Sequence, residues 1–183
     1  MRENPFFNYN IDSLSFLERA EEQLRKFDQE EDVSCLLYAA LELRMGIESK
    51  LHTSLEHAYP ANGRRTGSKK EYQAKKLLAE LLKLAPEATE ESFVCIGRVG
   101  SKQRSTFRYA PITRKLAEMH GLLGNLLHFS LFNLTEEWFV KNPIDKESRY
   151  CLAPYRQLLG TACEELEKCS SGDLILPVKF QQV

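Results

Sequence analysis

The sequence has no C-x-x-C pair, no apolar run long enough to cross a bilayer, and no continuous hydrophobic stretch with a small-residue cleavage site behind its opening MRENPFFNYNIDS. The first absence argues against a compact zinc site, which needs four close nitrogen or sulfur ligands. The second removes a membrane-spanning helix. The third removes the reading of the start as a secretory leader, so the expected location is the cytoplasm. Also missing are G-x-x-x-x-G-K-[ST], G-x-G-x-x-G, H-E-x-x-H and G-x-S-x-G. A nucleotide hydrolase, a dehydrogenase, a zincin and an α/β-hydrolase each lose their local signature with them. The five cysteines, Cys35, Cys95, Cys151, Cys163 and Cys169, are scattered and odd in number, so reduced structural thiols are expected.

What is present fits one domain spanning 1–183. The length of 183 residues allows a sizeable core, and the 43% hydrophobic and 28% charged shares are ordinary for a globular chain. A net charge of -1 conceals a separation along the chain. Between Ser92 and Ala117 there is no acidic residue, yet Arg98, Lys102, Arg104, Arg108, Arg114 and Lys115 all fall there. A second basic run, Arg64, Arg65, Lys69, Lys70, Lys75 and Lys76, is interrupted only by Glu71, while acids gather in 18–32 and 164–167. Separation of this kind makes a basic face that attracts phosphate, or simply solvated basic loops.

Hydrophobic periodicity predicts a mainly α architecture with a small β-hairpin inserted between the third and fourth helices. Asp12 or Ser13 caps a first helix to about residue 28, and Asp32 opens a long second one to about His57. YPANGRRTGSKK then reads as a surface loop, and a third helix from about Lys70 to Leu84 is ended by Pro86. SFVCIGRV and RSTFRYA around GSKQ predict a hairpin at about 92–109. A fourth helix is expected from about Ile112 to Phe132, a short one in TEEWFVKNP, and a last one from about Lys146 to Lys168 that Pro154 kinks or starts. DLILPVKF is expected to add a third strand to the hairpin.

Two helices carry polar residues where apolar ones are expected. With Val33 at zero and 100° per residue, Leu36, Leu37, Ala40, Leu41, Ile47, Leu51 and Leu55 fill an arc from about 300° to about 80°. Arg44 falls near about 20° and Glu48 near about 60°, inside that arc. Charges there must be paired, so a buried Arg44–Glu48 ion pair is expected where the second helix meets the fourth. On the fourth helix, Leu116, Met119, Leu122, Leu123, Leu126, Leu127 and Leu134 form the apolar arc. Arg114, Ala117, Gly121, Asn125 and His128 lie opposite, and His120 stands at the border. Glycine in a helix costs about 1 kcal/mol against alanine, so Gly121 and Gly124 imply that something approaches this helix closely.

AALELRMGIE on a long helix, the later APITRKLAEMHGLLGNLLHFS, and a closing amphipathic helix resemble the bacterial branch of the HEPN-type helical domains. The resemblance implies an antiparallel bundle that dimerises. It also implies one of two activities: metal-independent RNA cleavage, as in toxin–antitoxin and phage-defence systems, or non-catalytic binding of a nucleotide or partner protein. The signature of the active branch is an Arg followed after four to six residues by a His, and Arg114 with His120 fits it. The resemblance implies that His120 acts as general base or acid on the ribose 2′-hydroxyl and leaving oxygen, with Arg114 stabilising the scissile phosphate, chemistry that suits imidazole and guanidinium. The residue after Arg114 is Lys115, where the family has a small or amide-like polar side chain. A regular helix sets Arg114 and His120 about 120° apart, whereas His128 shares the face of Arg114. Both histidines are therefore candidates.

The expected site thus comprises Arg114, His120 and His128 as catalytic residues, with Arg44, Glu48 and Asn125 in support. Arg98, Lys102, Arg104 and Arg108 of the hairpin are the candidates for nucleic-acid binding, which alone would give salt-dependent affinity without hydrolysis. Phe93, Phe107 and Tyr109 serve there either to stack on bases or to pack the hairpin. RNA and a second copy of the chain are the expected partners, a partner protein the alternative. No metal or cofactor is expected, since the acidic residues form no compact carboxylate set.

Overall fold

The computed structural model describes residues 11–63, 73–97, 104–133 and 149–177, with 128–133 and 149–151 as backbone only. Asp12 starts the first helix, α1 (Ser13–Glu30), by accepting the backbone N–H groups of Leu14 and Ser15. Asp32 does the same for α2 (Val33–Ala61) through Ser34. Each cap satisfies donors that the first helical turn cannot, a contribution of about 1 kcal/mol. Between them Glu31 takes the left-handed conformation, φ 58°, and its N–H closes on Phe27, which turns the chain back within two residues.

The second helix outlasts its expected end at His57. Ala58 is fully buried and docks the last turn, and Pro60 sits inside it. The Asn62 side chain then ties the helix end to α3, donating to the carbonyls of Ala58 and Leu84. Helix α3 (Ala74–Leu84) begins after Gln73, which is extended, rather than near Lys70; residues 70–72 lie outside the described chain. Pro86 ends it as expected, but leads into a 3-10 turn, Pro86–Thr89, that periodicity did not reveal.

Strands β1 (Ser92–Gly97) and β2 (Arg104–Tyr109) pair antiparallel with Ser92 opposite Tyr109 and Gly97 opposite Arg104. The hairpin is thus where the sequence placed it, between α3 and α4. Of the expected third strand, 173–180, only 173–177 are described, and among these no strand forms. Residues 173–177 contribute a single parallel bridge, Leu174 to Tyr109, with the Leu174 N–H donating to the Arg108 carbonyl. The Asp173 carboxylate, not a backbone group, takes the Arg108 N–H, and Pro177 has no N–H to extend a ladder.

Helix α4 (Arg114–Asn133) starts two residues later than Pro111 suggests. The Ile112 N–H is spent on the Ala88 carbonyl of the 3-10 turn, and the Thr113 hydroxyl caps the helix at Leu116. Helix α5 (Arg149–Ser170) contains Pro154 rather than starting at it. The expected short helix in TEEWFVKNP lies outside the described residues.

Helix α2 packs against α1, α3, α4 and α5 and is the centre of the bundle. Leu43, Ile47 and Leu51 on it meet Leu81, Leu116, Leu123, Leu159 and Leu166 in one core. The buried face of α2 runs through Cys35, Leu36, Ala39, Ala40, Leu43, Gly46, Ile47, Leu51, Leu55 and Ala58. That arc is rotated by about 70° from the one expected, because α1 and α5 cover a flank that the leucine stripe alone does not mark. Leu41, expected inward, is 46% exposed. The rotation places Arg44 and Glu48 at the border of the core rather than within it. No helix among the described residues is long and apolar enough to cross a membrane.

Two glycines with opposite surroundings give a test of the packing. A Cβ on Gly172 would stand 2.5 Å from the Ala110 backbone nitrogen, whereas one on Gly121 meets nothing within 4 Å. Gly172→Ala is expected to lower stability by about 1–3 kcal/mol, and Gly121→Ala to raise it by about 0.5–1 kcal/mol through helix propensity. Urea midpoints of both variants against wild type check the pair of signs.

Candidate functional site

On α4, Ala117, His120 and Gly124 follow one another at helical spacing and are all buried. Arg44 and Glu48 of α2, one turn apart, meet this line at two points. Glu48 Oε1 lies 2.6 Å from His120 Nε2, and the Arg44 guanidinium lies over Gly124, where a Cβ would be 3.4 Å from its Nη1. Glycine at 124 therefore lets the guanidinium rest against the α4 backbone. The expected Arg44–Glu48 pair is present, Nε to Oε1 at 3.3 Å, and the structure adds His120 as its third member.

Arg44 Nε also lies 3.3 Å from His120 Nε2, so the protons must be assigned. Nε2 has a single in-plane position for either a proton or a lone pair. A lone pair there would face the lone pairs of Glu48 Oε1 at 2.6 Å, a repulsive contact. The proton therefore sits on Nε2 and is donated to Glu48, and the Arg44 Nε–H is donated to the same carboxylate. Nδ1 is the ring's second nitrogen, the position at which a proton is gained or lost. Burial, the largest influence on the Glu48 carboxyl, raises its pKa. The bond and charge of His120 and those of Arg44 together outweigh burial and hold it below the usual value of 4.5.

The three side chains differ in access. His120 is 8% exposed, Glu48 13% and Arg44 29%. Gly121, directly after His120, has open space over it, and Asn125 is exposed one turn further along α4. Arg114 is exposed on the first turn of α4, six residues and about 9 Å of helix rise from His120. The structure thus brings Arg44, not Arg114, to His120. His128 belongs to the backbone-only part of α4. Of the hairpin cations, Arg104 is exposed, Arg108 donates to Glu91 at 2.6 Å, and Arg98 and Lys102 lie outside the described residues. The expected small-residue face of α4 is divided: Ala117 is covered, while Gly121 and Asn125 are open; Gly124, not assigned to that face, is covered by Arg44, and Leu122, expected inward, is exposed.

A second polar cluster was not anticipated from the sequence. Glu165 of α5 is buried and accepts the Thr113 hydroxyl at the start of α4, with Lys115 Nζ at 3.5 Å and Lys168 Nζ at 4.0 Å. A carboxylate at a helix N-terminus complements its positive end. Lys115, the departure from the HEPN pattern, therefore has a structural partner here. The signal was the ITRK sequence at the expected helix start, in which Thr113 is a capping residue and Lys115 stands two places on. Lys50 of α2 is half-buried, and burial holds its ammonium below the usual lysine range. Cys35, Cys163 and Cys169 are buried free thiols, Cys163 pushed up to about 12 by burial, and Cys95 is exposed. Among the described residues no three His, Cys, Asp or Glu side chains gather as a metal-ligand set.

The depressed Glu48 carboxyl fixes the sign of an acid effect. Its contribution to stability is fully present above the unfolded value near 4.5 and is lost as pH falls from there through the folded pKa. Glu48→Gln is expected to remove that part of the acid slope and to cost about 1–3 kcal/mol at neutral pH. The slope from Asp12, Asp28 and Asp32, each also held low by hydrogen bonds, remains in both proteins. Denaturant midpoints between pH 3 and pH 7 for the two proteins check it. No protein-family model, no curated protein and no solved structure matches this chain.

Proposed function

We propose that the chain is a HEPN-like RNA-acting protein, a metal-independent endoribonuclease of a defence or toxin–antitoxin system that works in the cytoplasm as a homodimer. The observation that supports it is the meeting of Arg44, Glu48 and His120 beside the bare helix surface at Gly121. In this reading the arginine that serves the phosphate is Arg44. Its Nε edge is committed to Glu48, and its outer nitrogens, over Gly124, are the donors for a phosphate oxygen. Glu48 holds the Nε2 proton of His120, which makes Nδ1 the group that takes a proton.

The reaction needs no water in its first step. Nδ1 of His120 takes the 2′-hydroxyl proton as the 2′-oxygen bonds to phosphorus. The bond from phosphorus to the 5′-oxygen breaks, and the same proton passes to the leaving oxygen. A 2′,3′-cyclic phosphate and a 5′-hydroxyl result. Arg44 offsets the charge that builds on the non-bridging oxygens, and Glu48 offsets the imidazolium.

Incubation of the protein with labelled single-stranded RNA in EDTA tests this. His120→Ala and Arg44→Lys are expected to lose at least a hundredfold in cleavage rate while retaining their helical circular dichroism. Loss in Arg114→Ala or His128→Ala with His120→Ala fully active would move the chemistry to the other face of α4. Full activity in all four would remove the proposal.

A second reading, a non-catalytic module that dimerises or binds a partner protein or nucleotide, is favoured by a separate observation. Tyr38, Leu41 and Met45 are exposed along one line of α2, and Leu122 is exposed on α4. Under that reading Gly121→Leu disrupts assembly and His120→Ala does not. Sedimentation of both variants separates the cases: a mass unchanged by Gly121→Leu counts against the module.

A further inference from the structure

The two faces of the hairpin are unlike. Because directly opposed residues of an antiparallel pair point to the same side, Phe93, Cys95 and Gly97 share one face with Arg108, Thr106 and Arg104. Ser92, Val94 and Ile96 share the other with Tyr109, Phe107 and Ser105. The second face packs at its base, while Ile96, 60% exposed, and Ser105 at its outer end are open. Tyr109 is fully buried, its hydroxyl donates to the Ala88 carbonyl, and Val94 and Phe107 are half-buried. The first face looks outward, with Cys95, Gly97, Arg104 and Thr106 all exposed.

On an outward strand face a large apolar side chain has nothing to pack against, yet Phe93 stands there 50% exposed. Arg108, directly across from it, is drawn aside to Glu91, so its charge is largely offset at the base of the hairpin. Arg104, two pairs further out on this face, has no carboxylate partner among the described residues, and neither strand carries an acid. An exposed ring on one strand face with an arginine further out, on strands that carry no acid of their own and whose nearest carboxylates, Glu91 and Asp173, are taken up at Arg108, is what single-stranded nucleic acid needs. The ring takes a base by stacking and the arginine takes a backbone phosphate.

We infer that this face of the hairpin is a binding platform for single-stranded RNA, with Phe93 as the stacking residue and Arg104 as the phosphate contact. The inference rests on the RNA-acting reading only for the identity of the polymer. It divides the three aromatics between two tasks, stacking for Phe93 and packing for Phe107 and Tyr109.

The test is fluorescence anisotropy of a labelled single-stranded RNA on His120→Ala protein in EDTA, so that binding is measured apart from cleavage. Phe93→Val, which keeps strand propensity and removes the ring, is expected to weaken binding on the order of tenfold. Phe93→Trp, with a larger stacking face, is expected to tighten it. Arg104→Gln is expected to lower the slope of log K against log salt by about 0.7. Unchanged affinity in both Phe93 variants, or no binding of RNA by the parent protein, overturns the platform. So does equal displacement by poly-glutamate with no dependence on Phe93, which would assign the face to an acidic polypeptide. The two proposals fail separately. Cleavage retained at full rate in a Phe93→Val protein whose RNA affinity is also unchanged removes the platform and leaves the nuclease. Phe93-dependent binding by a wild type that does not cleave removes the nuclease and leaves the platform.

Discussion

Glu48 accepts from Arg44 on its own helix and from His120 on α4, and this shared carboxylate is the constraint around which the α2–α4 contact is arranged. A carboxylate 13% exposed at the edge of a leucine core must be compensated by groups that stay in place. Arg44 is held by the absence of a side chain at Gly124, and His120 is held by its burial on the same line of α4. Each member therefore depends on the packing of two helices, and the packing in turn depends on where those side chains sit. The same arrangement fixes which imidazole nitrogen carries the proton, so a packing requirement becomes a statement about chemistry.

The bundle is built so that α2 has neighbours around most of its circumference. Arg19 to Glu42, the paired Arg156 to Asp28 contacts and Ser13 to Ser170 join α1 to α2 and α5 near the surface. Gly46 lets Leu166 and Phe16 close on the middle of α2. These contacts cover one flank of α2 and leave the flank bearing Leu41 and Met45 open. Arg44 and Glu48 fall on the boundary between the two, where a charge is dry enough to need a partner and wet enough to reach a ligand.

Much of this was legible in the sequence. The helices of the described residues, the Asp32 cap, the first cap as one of two candidates, and the hairpin register their presence through spacing and residue type, and the expected Arg44–Glu48 pair is there. The orientation of α2 was not legible, because a helical wheel weights each leucine equally while burial depends on which flank a neighbouring helix covers. For that reason Leu41 is outside and His120, placed at the border of the α4 arc, is inside. The Glu48–His120 contact joins residues 72 apart, a separation over which periodicity carries no information. The same holds for Glu165 at the start of α4, 52 residues from Thr113. Among the described residues 173–177 no third strand forms, for a local reason: Pro177 has no N–H to give a ladder, and Asp173 takes the Arg108 donor that a strand would have used.

The position of Arg114 follows from how α4 begins. Ile112 is tied to the 3-10 turn and Thr113 caps the helix under Glu165, so the first turn of α4 is fixed relative to the base of the hairpin. Arg114 is exposed on that turn, five residues beyond Tyr109 and six before His120. Helix rise sets it about 9 Å along α4 from His120, and the helical twist turns it by about 120° from that residue. An Arg and a His spaced as in the HEPN signature are thus separated here by regular geometry, while an Arg from the neighbouring helix stands beside the His instead. The charge of Arg114 adds to the basic sequence from Ser92 to Ala117, whose acidic partners Glu91, Asp173 and Glu165 come from outside it, and in the proposed chemistry the guanidinium that acts with His120 comes from α2.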